Sequence, residues 1–193
     1  MNKALRQLVL IPATPGWIAP SQPVFVQQLG KLGLLGQALA THVQCFLIGE
    51  NFLQQFSFMG CAPSLNLAPA DVTAWRLDEF VFVHVHSEAG APRWYADSVL
   101  GKPACPLCHK RDAGWHAQFS AAQGMLRCVH CQQASPVCDW QWFDAGGCAR
   151  QFISIVNVYP KESIPTDALL QELAELTGVQ WTYFYLHAPL LGA

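Results

Sequence analysis

Two Cys-x-x-Cys pairs constrain this chain more than any other feature. Cys105-Pro-Leu-Cys108 is followed, after nineteen residues, by Cys128-Val-His-Cys131. Two residues between cysteines let each pair bend around one ion, and zinc takes four such ligands as a tetrahedron with Zn–S near ~2.3 Å. Between the pairs, Trp115-His-Ala-Gln-Phe119 and Met125-Leu-Arg127 flank Gly124. They read as a hairpin that returns the second pair to the first. The spacing lies inside the window for four-cysteine zinc sites. Cys105, Cys108, Cys128 and Cys131 are therefore the expected ligands of one zinc ion (Zn2+). Four thiolates leave no open position for water, so the ion is expected to be structural. It would fold a segment with little core of its own. Iron on four thiolates is chemically equivalent at this level.

Two rival chemistries use the same residues. Cys105-Pro-Leu-Cys108-His109 matches the haem c attachment pattern, but that chemistry needs export and leaves the second pair unexplained. A redox Cys-x-x-Cys pair opens a helix after a strand, whereas this one follows Gly-Lys-Pro-Ala and leads into a polar loop. Over residues 103–135 the chain resembles the zinc-ribbon, or rubredoxin-like, superfamily. The resemblance implies a four-thiolate site on Cys105, Cys108, Cys128 and Cys131. His109 and Gln132 stand after the two pairs, where many ribbons carry glycine. Ribbons serve transcription, translation, redox and scaffolding proteins, so the resemblance speaks to ligands and not to activity.

Charge refines the picture. Residues 101–137 hold Lys102, Lys110, Arg111 and Arg127 against Asp112 alone. Zinc with four thiolates carries two formal negative charges, which these residues can balance as neighbours of the site. The sharper reading makes Lys110, Arg111 and Arg127 nucleic-acid contacts. The rest of the chain is acidic on balance and the formal net charge is -2, which argues against a large phosphate-binding face.

A length of 193 residues suits one domain with a small insert. We expect a core domain over 1–100 and 137–193 and a zinc-ribbon insert over 101–136. Apolar periodicity predicts helices over 25–39, 50–59 and 166–176, the last capped by Thr166 and stopped by Gly178. Strands are expected over 43–48, 80–86, 140–143, 152–159 and 181–187, with 93–96 returning as a hairpin partner of 80–86. The expected class is α/β or α+β: a mixed sheet with flanking helices, ending in a β-α-β unit.

Other candidates are weaker. His84 and His86 share one face of a strand and form a candidate second metal pair, with strand-edge histidines as the plainer reading. Asp78, Glu79 and Glu88 lie near that strand's ends, yet no third ligand stands at a convincing spacing. Cys61 after Gly60 is a candidate nucleophile, better read as a small hydrophobe, and Cys45 reads as core. Cys138 and Cys148 could face each other across a turn or substitute as ligands, but a disulfide is unexpected in a reducing compartment. Trp140, Trp142, Trp181, Tyr183 and Tyr185 read as sheet core or protein-contact surface, because no Lys or Arg interleaves them.

The apolar run after Lys3 and Arg6 is cut by Pro12 and Pro15, too short for a secretory signal, and no stretch reaches ~18 apolar residues. A cytoplasmic location is the default. With 52% hydrophobic and 12% charged residues, the chain is too apolar to be disordered and is expected to offer apolar surface to a partner. These readings point to a zinc-binding accessory or adaptor protein acting through protein–protein contacts. The alternatives are a nucleic-acid-binding ribbon protein and a metal-dependent enzyme using His84 and His86.

Overall fold

A computed structural model describes residues 5–40, 42–59, 65–69, 76, 78–97, 101–120 and 124–188. In chain order the elements are β1 (Leu5–Pro12), α1 (Gln22–Lys31), β2 (Leu35–Ala38), β3 (Cys45–Ile48), α2 (Phe52–Gln55), β4 (Phe56–Phe58), β5 (Phe82–Ser87) and β6 (Arg93–Ala96). There follow β7 (Phe119–Ser120), β8 (Met125–Arg127), β9 (Ala134–Pro136), β10 (Gly146–Ala149), β11 (Gln151–Val156), β12 (Ser163–Pro165), α3 (Asp167–Thr177) and β13 (Trp181–Ala188). Short 3₁₀ turns occupy Trp115–Gln118 and Val137–Asp139.

Six strands form the main sheet in the order β13-β1-β11-β5-β3-β2, and its registers are antiparallel throughout. The class is α+β. The 80–86 expectation holds as β5, an interior strand. The terminal strand-helix-strand differs from a simple crossover: β11 and β13 run parallel, but β1 lies between them and pairs with both. The chain's first strand thus fills the gap that α3 crosses.

Strand alternation sorts the side chains onto two faces. Leu8, Leu10, Val83, Val85, Ile153, Ile155 and Tyr185 pack with Phe25, Leu29, Leu169 and Leu173 of α1 and α3. On the opposite face Val9, Ile11, Phe152, Phe184 and Leu186 pack with Ala149 and Tyr95, beneath the ribbon formed by β6 and β10.

Four local expectations are corrected. The 25–39 helix stops at Lys31, because Gly33 turns left-handed at φ 73. The amides of Gly33 and Leu34 reach the carbonyls of Gly30 and Leu29, a Schellman stop. The following residues become β2. The 50–59 helix is only one turn, α2, before Phe56 enters β4, which finds β12 as partner. Strand β6 pairs with β10, not with β5. Residues 140–143 are not a strand. Instead Gly146 and Gly147, just downstream, lie in β10. A Cβ on Gly147 would run into the Ile11 and Phe184 side chains, so glycine lets β10 lie close against the sheet.

Helix α3 follows its sequence signals. Thr166 Oγ1 accepts the Leu169 amide at 3.2 Å and donates to the Gln55 carbonyl at 3.1 Å. Gly178 ends the helix at φ 74. Thr166→Ala removes both bonds and should cost ~1–2 kcal/mol in urea unfolding, with Thr166→Ser recovering most of it. Equal stability of the alanine variant would show that neither bond matters.

Candidate metal centre

Each cysteine pair folds into the same local turn. The His109 amide donates to the Cys105 carbonyl at 3.0 Å, and the Cys105 amide to the Lys110 carbonyl at 3.1 Å. In the second pair Gln132 donates to Cys128 and Cys128 to Gln133, both at 2.9 Å. The amides of Leu107 and His130 point at Cys105 Sγ and Cys128 Sγ, each at 3.4 Å. His109 and Gln132 have φ 58 and 62. They occupy the left-handed position that glycine would take most readily, held there by the closing hydrogen bonds of each turn.

These turns bring the four thiols together. Cys105 and Cys131 Sγ lie 3.8 Å apart and Cys108 and Cys128 Sγ 3.6 Å apart. All four sulfurs fall within 4.8 Å of one another. A tetrahedron with ~2.3 Å zinc–sulfur bonds has edges of about 3.8 Å, so the spacing fits one ion of zinc's size. The site is compatible with a zinc-ribbon-like centre, as the spacing of the pairs predicts.

The amide donors also set the acidity of the metal-free thiols. Burial opposes ionisation of Cys105, but the amides of Cys108 and Leu107, with the neighbouring thiols, outweigh it and bring its pKa down to about 7. For Cys108 the Lys110 amide works toward ionisation. Desolvation and the adjacent thiols prevail, and the pKa is pushed up to about 11. Cys131 is likewise raised, against the Gln133 amide, by desolvation and by Cys128 and Cys105.

Other residues fasten the two turns to each other and to the sheet domain. Asp112 is buried; its Oδ1 accepts the Gly114 amide at 2.8 Å and its Oδ2 the Val129 amide at 3.3 Å. His130 Nε2 meets the Arg111 carbonyl at 3.2 Å. Ala104 exchanges backbone bonds with Gln141 at 2.9 and 3.1 Å. Trp115, Leu126, Val137, Trp140 and Trp142 pack around Cys105 and Cys128, with Trp94 and Ala96 of β6 against them. Trp94, Trp115 and Trp142 meet edge-on or tilted at 4.9–5.4 Å between centroids. Trp140 and Trp142 are thus core, as are Trp181 and Tyr185.

Of the basic candidates, the Arg111 guanidinium lies 4.3 Å above the Phe143 ring. Arg127 donates to the Gln132 carbonyl at 2.7 Å, and Lys110 is exposed. Cys138 and Cys148 correct the expectation of free thiols: they form a disulfide, with Cα atoms 5.3 Å apart. The 3₁₀ turn and β10 face each other across 140–145, which places the two thiols together. Neither belongs to the four-thiol group. Cys61 lies outside the described residues.

His84 and His86 sit side by side on β5, rings stacked at 4.8 Å, and His86 stacks on Phe152 at 4.7 Å. Burial, reinforced by His42 for His84 and by His84 and Arg93 for His86, depresses their pKa values to about 4 and about 3. Asp78 pairs with Arg76, Glu79 accepts the Arg76 amide, and Glu88 binds Arg93 and Tyr95. Sequence reasoning missed a buried Asp97 whose Oδ2 lies 2.7 Å from His187 Nδ1 and accepts the His187 amide at 3.0 Å. Ninety positions separate the two, and no local signal joins them. It also missed Asp112 as the link between the cysteine turns.

No protein-family model, curated protein or solved structure matches the chain. No helix among the described residues is long and apolar enough to cross a membrane.

Two outcomes follow from this geometry. A zinc ion held by the four thiols would displace protons from at least Cys108 and Cys131 at neutral pH. Its affinity should therefore fall by at least ~100-fold per pH unit on acidification toward pH 7, measured by competition with a chromophoric chelator; a pH-independent affinity would contradict the four-thiolate set. His109→Gly should keep zinc and stability, whereas His109→Val, β-branched in a left-handed turn, should lose about 1–2 kcal/mol in thermal unfolding of the zinc form.

Proposed function

We propose that this is a zinc-binding accessory protein. One structural zinc ion on Cys105, Cys108, Cys128 and Cys131 folds the 101–136 region as an insert in the sheet domain. That region then presents a contact surface to another protein. The observation that carries this reading is the closed set of four thiols at tetrahedral spacing. Every coordination position belongs to the chain, so the ion shapes a surface and offers no place for a substrate.

The surroundings support a protein partner. Leu107 and Val129, one in each cysteine turn, are exposed, and so is Phe143. Phe143 is held at φ 55 beneath Arg111, an unusual backbone state for a bulky residue and one that often marks functional positions. Arginine and aromatic side chains are enriched in protein interfaces. Arg111 already covers a ring face that could stack a base, and Arg127 is engaged with its own turn. Both features favour protein over nucleic acid.

The test is affinity capture from the native cell, with metal analysis of the captured sample. A partner should come with the wild-type chain and be lost from Leu107→Asp and Phe143→Ser variants that still hold zinc. Salt-dependent binding of single-stranded oligonucleotides, abolished by neutralising Lys110, Arg111 and Arg127 together, would replace this reading with the nucleic-acid one.

A further inference from the structure

The main sheet gathers a second set of metal-ligating side chains, far apart in sequence. Strands β3 and β5 pair so that Cys45 stands directly opposite His84. Directly opposed residues point to the same face, with Cβ atoms ~4.5–5.5 Å apart. His86 is two residues along that same face, its ring stacked on His84. His42 lies three residues before Cys45, in a turn closed by the Cys45 amide on the His42 carbonyl at 3.3 Å, with Gln44 at φ 56. The arrangement is His-x-x-Cys on a turn beside His-x-His on a strand. Ser154 stands opposite His84 on the other side, in β11.

Cys45 and His84 are buried, His86 is half-buried, and the polar atoms of the strand pair are poorly satisfied. Cys45 is 3% exposed and His84 8%. His84 Nδ1, both ring nitrogens of His86 and Ser154 Oγ have no hydrogen-bond partner. Buried polar atoms nearly always find a partner in protein, water or an ion. Three orphaned imidazole nitrogens in one place, beside a thiol, have the donor chemistry of a transition-metal site.

We propose that Cys45, His84 and His86, completed by His42, form a second site for a borderline-soft transition ion of the zinc class. The site is not closed in advance. Among the described residues only the four-thiol group has its ligand atoms within 4.8 Å of one another. The His84 and His86 rings are 4.8 Å apart at their centroids, and two nitrogens on one zinc at ~2.0–2.1 Å lie roughly 3.4 Å apart. Binding therefore turns the two rings out of their stack and toward Cys45. One thiolate and three imidazoles fill four positions, so this ion too would be structural, tying the turn before β3 to the middle of the sheet.

The inference stands apart from the accessory-protein reading and is tested on the full chain with zinc alone. Native mass spectrometry and chelator competition at neutral pH should find two zinc ions per chain, the weaker one in the sheet. Cys45→Ser and His86→Phe should each hold one, with affinity for the second reduced by more than the roughly 10–100-fold that loss of an outer-shell partner costs. His86→Phe keeps the stack on Phe152 and serves as the deciding variant where Cys45→Ser fails to fold. A wild-type chain that saturates at one zinc, or a His86→Phe chain that still binds two with unchanged affinity, would overturn the site.

Discussion

The pairing of β1 with both β13 and β11 is the constraint on which the rest of this structure depends. Eight residue pairs join β1 to β13 and four join it to β11, so the first strand of the chain binds the last into one sheet. Leu8, Val9 and Leu10 of β1 have no exposed surface, and they serve both faces at once. One face seats α1 and α3. The other receives β10, whose Gly147 removes the side chain that would otherwise hold the ribbon off. Because β6 is paired to β10, and Trp94 and Ala96 of β6 pack on the tryptophans around the thiols, the four-thiol cluster inherits its position from this stack of contacts. Loss of β1 pairing would unseat the layers in turn.

The cysteine centre is held by a different balance. Four thiols gathered in one place repel as thiolates and compete for protons as thiols. The chain meets this with backbone amides directed at sulfur, a buried Asp112 spanning the two turns, and an apolar jacket of tryptophans. The jacket reaches beyond the cysteine segment to Trp94, Val137, Trp140 and Trp142. The Cys138–Cys148 disulfide fastens the same exit segment to β10. Disulfides are rare in a reducing compartment, so this pairing runs against the expectation of free thiols that the cytoplasmic default carried.

Most local signals that rest on short-range physics were readable. The α3 cap at Thr166 and stop at Gly178, the apolar run of β5 and the spacing of the cysteine pairs are all decided within a few residues. Apart from the missed stop at Gly33, which is local, the misreadings share one cause. Residues 35–39 and 56–58 have apolar patterns that suit helix or strand, and pairing partners outside each segment decide between them: β3, 8 to 13 positions on, claims β2, and β12, far downstream, claims β4. The 93–96 segment looked like a hairpin arm of β5 because hairpins are local, but β10 took it from some fifty residues downstream.

By itself, the sequence determined which four thiols could hold a metal ion and where α3 begins and ends, because ligand spacing, capping and left-handed stops act between near neighbours. The resemblance to zinc ribbons marked His109 and Gln132 as standing where glycine is common, and both are left-handed. Only the tertiary structure decided that Cys45 faces His84, that Asp97 meets His187, that Cys138 finds Cys148, and that β1 separates β11 from β13. Those juxtapositions depend on strand order and register. These are settled by the free energy of closing the whole sheet over two apolar faces, not by any stretch of chain read alone.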